Sequence, residues 1–302
     1  MKFSFLRRRL RTHFKNLSLF YNETNLLAVG SMLCKQQAAI NSGSLNDYEF
    51  RIFSQWGDDG IIQYLIRNLR IKNETFIEFG VGDYEESNTR FLLMNNNWSG
   101  FVMDGSEELV REMTKRNWYW RHDIRARAAF IDRDNINALL AESGFQEVGL
   151  LHIDLDGNDY HILEEIDFSR LNPCLLILEY NSVFGAMRPL TVPYDKNFSR
   201  GKAHYSHLYY GASLPALQHL ANRKGYALVG GNLAGNNAYF VRRDLLNERV
   251  KEVPMEKAYR ESRFREARAK DFSLSYLFGP ARLELLRGME VINVVTGGKE
   301  SL

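Results

Sequence analysis

The clearest chemistry in this sequence of 302 residues sits in two glycines and the acids around them. Phe76, Ile77 and Phe79 make an apolar run interrupted only by Glu78, and Gly80 and Gly82 follow at once. Asp104 stands 22 residues beyond Gly82, at the end of a second apolar run. Glycines at the end of a strand let the backbone turn and admit a ligand against the main chain. An acid about 20 residues further on is where a nucleotide-binding βαβ unit meets ribose hydroxyls.

The residues between them narrow the ligand. A dinucleotide fingerprint needs a third glycine beside the pyrophosphate. Glu85 holds that position here, and its carboxylate would repel a pyrophosphate. Glu78 adds a second negative charge two residues before Gly80. The pair suits a ligand with a positive end and no phosphates, such as S-adenosylmethionine (SAM). On that reading Glu78 faces the ammonium or a water beside it, Asp104 the ribose diol, and Asp132 the adenine amino group. Gln55 and Ser106 complete the cofactor-binding set. An ordinary strand–turn–helix with an exposed acid is the plainer alternative.

Positioning these groups requires a layered α/β fold. A helix carrying Ile61, Ile62, Leu65, Ile66 and Leu69 on one face, capped by Asp58 or Asp59, leads into the first strand and sets Ser54, Gln55 and Asp59 at the rim of the site. The second strand ends at Asp104, a third is expected over residues 128–132, a fourth ends at Asp154 and Asp156, and a fifth ends at Glu179 and Asn181. Apolar strands separated by helices predict a parallel sheet covered on both faces. Ligands of such sheets bind at the carboxyl ends of the strands, where every one of these acids and amides falls. Asn158 or Asp159 caps the helix after the fourth strand. Residues 226–230 and 237–242 predict a closing hairpin, and a charged, helical tail follows.

From residue 184 to 210 the helical and strand periodicity stops and aromatic and histidine residues accumulate, as in a loop that closes over substrate. His204 and His207, both in this loop, are candidate bases, with Asp154 a third. Asp156, Asn158, Glu179, Asn181 and Tyr194 form the substrate-binding set. Asp154 and Asp156, spaced i, i+2, could also hold a divalent metal through oxygens, with Asn181 or Glu179. Hydrogen bonding to substrate or to helix caps is the favoured reading, so no metal is assigned.

Composition bounds the rest. A 45% hydrophobic chain of this length buries a large core, and a net charge of +2 gives no field that would attract nucleic acid. Cys34 and Cys174 make no disulfide framework, which favours a reducing, cytoplasmic setting. No apolar run is long enough to span a membrane, and the N-terminus lacks the pattern of a signal peptide. Residues 3–14 are basic with an apolar stripe and would suit an anionic membrane surface or a solvated helix. The expected organisation is an N-terminal extension (1–49), a ligand-binding domain (50–245) and a helical tail (246–302).

The chain resembles the FkbM-like branch of the class I SAM-dependent methyltransferases. The resemblance rests on residues 54–62, 76–82, 88–90, 98–100, 153–160, 179–181 and 211–213, and it spans roughly residues 50–245. It implies a Rossmann-like, seven-stranded, mostly parallel sheet with a C-terminal antiparallel hairpin and helices on both faces. It further implies O-methylation of a hydroxyl on a sugar, surface-polysaccharide precursor or related metabolite. Two other readings stay open: another nucleotide enzyme, using NAD(P) or a nucleotide sugar, and a catalytically silent methyltransferase fold that binds a partner.

Overall fold

The computed structural model describes residues 22–264 and 266–302. The basic segment 3–14 lies outside the described residues. Helix α1 covers residues 22–37. The central strands are β1 (Thr75–Phe79), β2 (Ser99–Asp104), β3 (Ile124–Ala128), β4 (Leu150–Ile153) and β5 (Leu175–Glu179). Between and before them run α2 (Asp58–Asn68), α3 (Arg90–Asn96), α4 (Glu107–Thr114), α5 (Ile136–Glu142), α6 (Asp159–Glu165) and α7 (Phe168–Leu171). The chain continues through β6 (Leu190–Thr191), α8 (Arg200–Ala203), α9 (Leu214–Arg223), β7 (Tyr226–Gly231) and β8 (Asn237–Arg242). Its tail holds α10 (Met255–Ala258), α11 (Pro280–Glu284), β9 (Glu290–Asn293) and β10 (Lys299–Ser301).

Seven strands form one sheet in the order β3-β2-β1-β4-β5-β8-β7. Its pairings are parallel except those of β8, which runs against β5 and β7. The expected seven-stranded, mostly parallel sheet with its closing hairpin is therefore present. Alternation along each strand sends side chains to opposite faces. Ile77, Phe79, Leu151, Ile153, Leu176 and Leu178 pack with α5, α6 and α9 on one face. Phe76, Val102, Leu150, Leu175 and Ile177 pack with α2, α3 and α4 on the other. Among the described residues no helix is long and apolar enough to cross a membrane.

Three local expectations are corrected. The third strand is Ile124–Ala128, not residues 128–132. It is an edge strand with Arg125 and Arg127 exposed on one face, so charge interrupts the apolar run that a buried strand shows. Asp132 therefore lies past the strand, in the turn before α5. Asp58 and Asp59 do not cap α2. One Asp59 oxygen accepts from the backbone N–H groups of Ile52, Phe53 and Ser54 at 2.7–2.9 Å, tying down the preceding loop. Asp58 accepts from Asn232, Asn237 and Tyr239, tying α2 to the hairpin.

The tail is not mainly helical. Its strands β9 and β10 join β6 in a separate antiparallel sheet, in the order β10-β9-β6. Val291, Leu286 and Ala267 bury against Leu190, Val192 and Leu208. Those apolar partners are distant in sequence, so the charge density of the tail is a poor guide to its structure.

Candidate active site

The carboxyl ends of the parallel strands open into two cavities that share Gly80, Asp154 and Asp156. The smaller, about 230 Å³, is bounded by Asp104 and Gly105 after β2, by Ala129, Phe130 and Ile131 after β3, and by Phe198. The larger, about 400 Å³, lies on the α2 side of the sheet and is lined by polar and charged groups. Gly80 is the hinge between them. Its φ of +72° suits glycine, and a Cβ there would stand 1.8 Å from the Asp154 carbonyl oxygen.

Asp104 is held by two backbone groups. Its Oδ2 accepts from the Gly82 N–H and its Oδ1 from the Ser106 N–H, each at 2.8 Å. One bond per oxygen holds the carboxylate still and leaves a lone pair on each for a hydroxyl donor. Ser106 itself caps α4, accepting from the Leu109 N–H. Phe130 is 57% exposed at the cavity edge, a large aromatic face available to a planar ring. Sequence reading missed it because residues 128–132 were expected to form a strand, whereas Phe130 lies in the loop after β3.

Glu78 serves the glycine turn and the fourth strand. Its buried carboxylate accepts from Ser87 Oγ at 2.5 Å, from the Asn88 N–H at 3.0 Å and from Thr89, and it faces His152 Nδ1 at 2.9 Å. Glu78 and His152 are register partners in β1 and β4, which puts them on the same face. Burial raises the Glu78 carboxyl, and the bonds from His152, Ser87 and Thr89 more than offset this, so it lies below its ordinary value. Burial lowers His152, but the Glu78 contact more than offsets this, leaving it above its ordinary value. Asn88 Nδ2 stands 3.3 Å from His152 Nε2, and both residues line the larger cavity.

Three further acids meet across the shared wall. Asp154, Asp156 and Glu179 bring ligand oxygens within 4.8 Å of one another. Burial, and then the charge of Asp156, push Asp154 well above the usual carboxylate range. Burial, and then the charge of Asp154, do the same to Glu179. Arg200 Nη1 binds Asp156 Oδ1 at 2.7 Å, its other terminal nitrogen pairs with Glu266 at 2.5 Å, and its guanidinium lies 3.7 Å from the Tyr210 ring centroid. Trp56 and Phe264 stack at 5.5 Å on the same cavity wall.

The remaining sequence candidates are dispersed. Gln55 lines the larger cavity and Asn158 the smaller. Outside both, Asp132 is engaged by Lys196 at 2.9 Å and by the N–H groups of Asp134 and Asn135. Asn181 spends its amide on the Leu208 and Tyr210 carbonyls and the Val183 N–H. The Tyr194 hydroxyl accepts from the Arg133 N–H. His204 bonds Ser206 Oγ at 2.7 Å, the His207 carbonyl accepts from Arg200, and neither residue lines either of these two cavities. Glu85 turns to Arg116 and Arg90, at 2.7 and 3.4 Å, so its charge is compensated away from the glycine turn.

The profile of the Methyltransferase FkbM domain matches residues 47–199, half of the chain and the part that supplies β1 to β6. The chain belongs to the FkbM methyltransferase domain family. No functionally curated protein matches it. Among solved structures, this FkbM-family chain is similar to the N-terminal domain of EvdMO1, determined in the presence of SAH and D-fucose. The identity is 11% over 55% of this chain and 73% of that one, with a TM-score of 0.35. It is also similar to a SAM-dependent methyltransferase from Aquifex aeolicus, at 11% identity over 57% and 84% of the two chains and a TM-score of 0.33. A third is M. capricolum TrmK with S-adenosyl-homocysteine, at 11% identity over 62% and 70% and a TM-score of 0.36. These likenesses are distant, and the family assignment rests on the matched residues 47–199.

Several residues on the cavity walls were given no site role from the sequence. Trp56 and Asn88 lie in stretches that carry the resemblance, but nothing local marks their side chains as lining groups. His152 had a signal, a histidine two residues from an acid inside an apolar strand. Arg200, Asn237, Phe264 and Glu266 had none, since only the folding of loop, hairpin and tail brings them to the cavity.

Proposed function

We propose that the chain methylates a hydroxyl of a sugar or a related polyhydroxylated small molecule, with SAM as the methyl donor. One observation carries this reading: two cavities of different character meet at a single wall made of Gly80, Asp154 and Asp156. A donor with a nucleoside at one end and an acceptor at the other need such a junction. Asp104 would hold the ribose diol, Phe130 and Ile131 would cover the adenine, and Gly80 would let the donor lie against the backbone. When bound, SAM supplies an electrophilic methyl group on a sulfonium.

The larger cavity supports a hydroxylated acceptor. Asp154, Asp156 and Glu179 offer carboxylate oxygens to hydroxyl protons, and the Trp56 Nε1 donor is buried without a partner. The stacked Trp56 and Phe264 rings give an apolar face of the kind that packs on a sugar ring. His152, fixed through Nδ1 by Glu78, is the group we assign to take the proton from the acceptor hydroxyl, through Nε2. Methyl transfer is an in-line displacement, so holding the reactants in geometry is the main task of these walls.

Calorimetric titration of the purified protein with SAM, S-adenosylhomocysteine and NAD tests the donor. The expected result is SAM and S-adenosylhomocysteine binding that weakens more than about tenfold in Asp104→Ala, which loses two charge-assisted hydrogen bonds to the diol. NAD binding without SAM binding would sink the reading.

A further inference from the structure

The wall between the two cavities carries more oxygen donors than an acceptor hydroxyl needs. Asp154, Asp156 and Glu179 converge from the ends of neighbouring strands β4 and β5, with their ligand oxygens within 4.8 Å of one another. A hard cation bonded at about 2.1–2.6 Å to each oxygen spans oxygens roughly 3–5 Å apart, so the cluster has the right size. Size alone does not make a site, because acids gather on many surfaces without a metal.

Two buried acceptor atoms point to a ligand. Glu179 is 8% exposed and its Oε2 has no hydrogen-bond partner. Asn237 is 3% exposed, and its Oδ1 also lacks a partner. The orientation of that amide is forced. Its nitrogen donates to Asp58 Oδ1 at 3.0 Å, a carboxylate that can only accept, so the oxygen has to lie on the other side. Asn237 is the direct cross-strand partner of Glu179 in the β5–β8 ladder, which places both side chains on one face, and both line the larger cavity. An amide oxygen and a carboxylate oxygen, buried side by side without a donor, are costly unless something positive binds them.

The local charge agrees. Arg200 is shared between Asp156 and Glu266, so one guanidinium faces those two acids together with Asp154 and Glu179. We propose that Asp154, Asp156 and Glu179, with the amide oxygen of Asn237, hold a hard divalent cation of the magnesium or calcium type. All four donors are oxygens, which selects against the softer metals that favour imidazole and thiolate. At the junction of the cavities the cation would receive the hydroxyl oxygens of an acceptor and fix which of them faces the methyl donor. This goes beyond the assignment of donor and acceptor, and the site is defined by residues of this chain alone.

The test uses the full chain with the metal by itself, without methyl donor or acceptor. Titration with Mn²⁺, read as loss of the free-ion paramagnetic resonance signal, is expected to show one bound ion per chain, displaced by Mg²⁺ or by Ca²⁺. Glu179→Gln and Asp156→Asn are each expected to weaken it about tenfold or more, because site charge sets affinity. Asp156 is largely exposed, so its variant should fold even if the buried Glu179 variant does not. Absence of Mn²⁺ binding at millimolar concentration, or equal binding in both variants, would overturn the proposal. S-adenosylhomocysteine binding measured on the same samples separates the two assignments: a protein that binds it but no Mn²⁺ keeps its donor and loses its cation site, and the converse result reverses this.

Discussion

The two cavities share a wall but are assembled in different ways. The smaller is built by the turns that follow three adjacent strands, β1, β2 and β3, with the β4 turn and Phe198 closing it. The larger collects Gln55, Asn88, His152, Arg200, Asn237 and Phe264 from six separate parts of the chain. A donor common to many enzymes can be served by one local strand–turn–helix unit. An acceptor particular to one enzyme is met by loops and a tail, which change without disturbing the sheet.

The sharpest way to break this comparison is to fill the hinge. Gly80→Ala places a methyl group against the Asp154 carbonyl, and backbone on both sides leaves little room to yield. A stability loss of about 3 kcal/mol or more is expected in denaturant unfolding, with S-adenosylhomocysteine binding lost. Normal stability in that variant would mean that β1 and β4 are not held as close as the shared wall requires.

Gly82 offers the contrast. Its φ is +57°, but a Cβ there would meet nothing within 4 Å. Gly82→Ala should therefore cost only the strain of a left-handed residue, about 1–2 kcal/mol, by the same unfolding measurement. Equal losses at the two glycines would show that backbone strain, and not close approach, makes Gly80 necessary.

The smallest expected effect separates the cavities most directly. Phe130→Ala should weaken S-adenosylhomocysteine binding roughly 2- to 12-fold, the equivalent of about 0.5–1.5 kcal/mol of aromatic contact. Phe264→Ala, on the wall of the other cavity, should leave that affinity within about twofold in the same titration. If Phe264 proves the more important for the donor, the division of labour between the cavities is reversed.

The sequence was most legible where the candidate residues lie close together in the chain. Gly80, Gly82 and Asp104 lie within one βαβ unit, so their spacing is set by strand and helix geometry and can be read directly, whereas Glu78, expected to face an ammonium, turns its carboxylate to Ser87, Asn88, Thr89 and His152. Asp154, Asp156 and Glu179 were legible for the same reason, as polar ends of apolar strands. Asp132 was misplaced because an edge strand carries charge on its open face. His204 and His207 were singled out by residue type in an aromatic loop, but neither lines the two cavities, and the His204 ring bonds Ser206 instead.

The sequence by itself determined the layered sheet, its hairpin and the acids at the strand ends, because hydrophobic periodicity and glycine conformation act over a few residues. Only the tertiary structure decided which polar groups face one another. The Glu78–His152 pair depends on the register of β1 against β4, and the Glu179–Asn237 pair on that of β5 against β8. The arrival of Phe264 and Glu266 depends on a tail whose apolar residues find their partners around β6. Those contacts join residues far apart in the chain, and no local propensity encodes them.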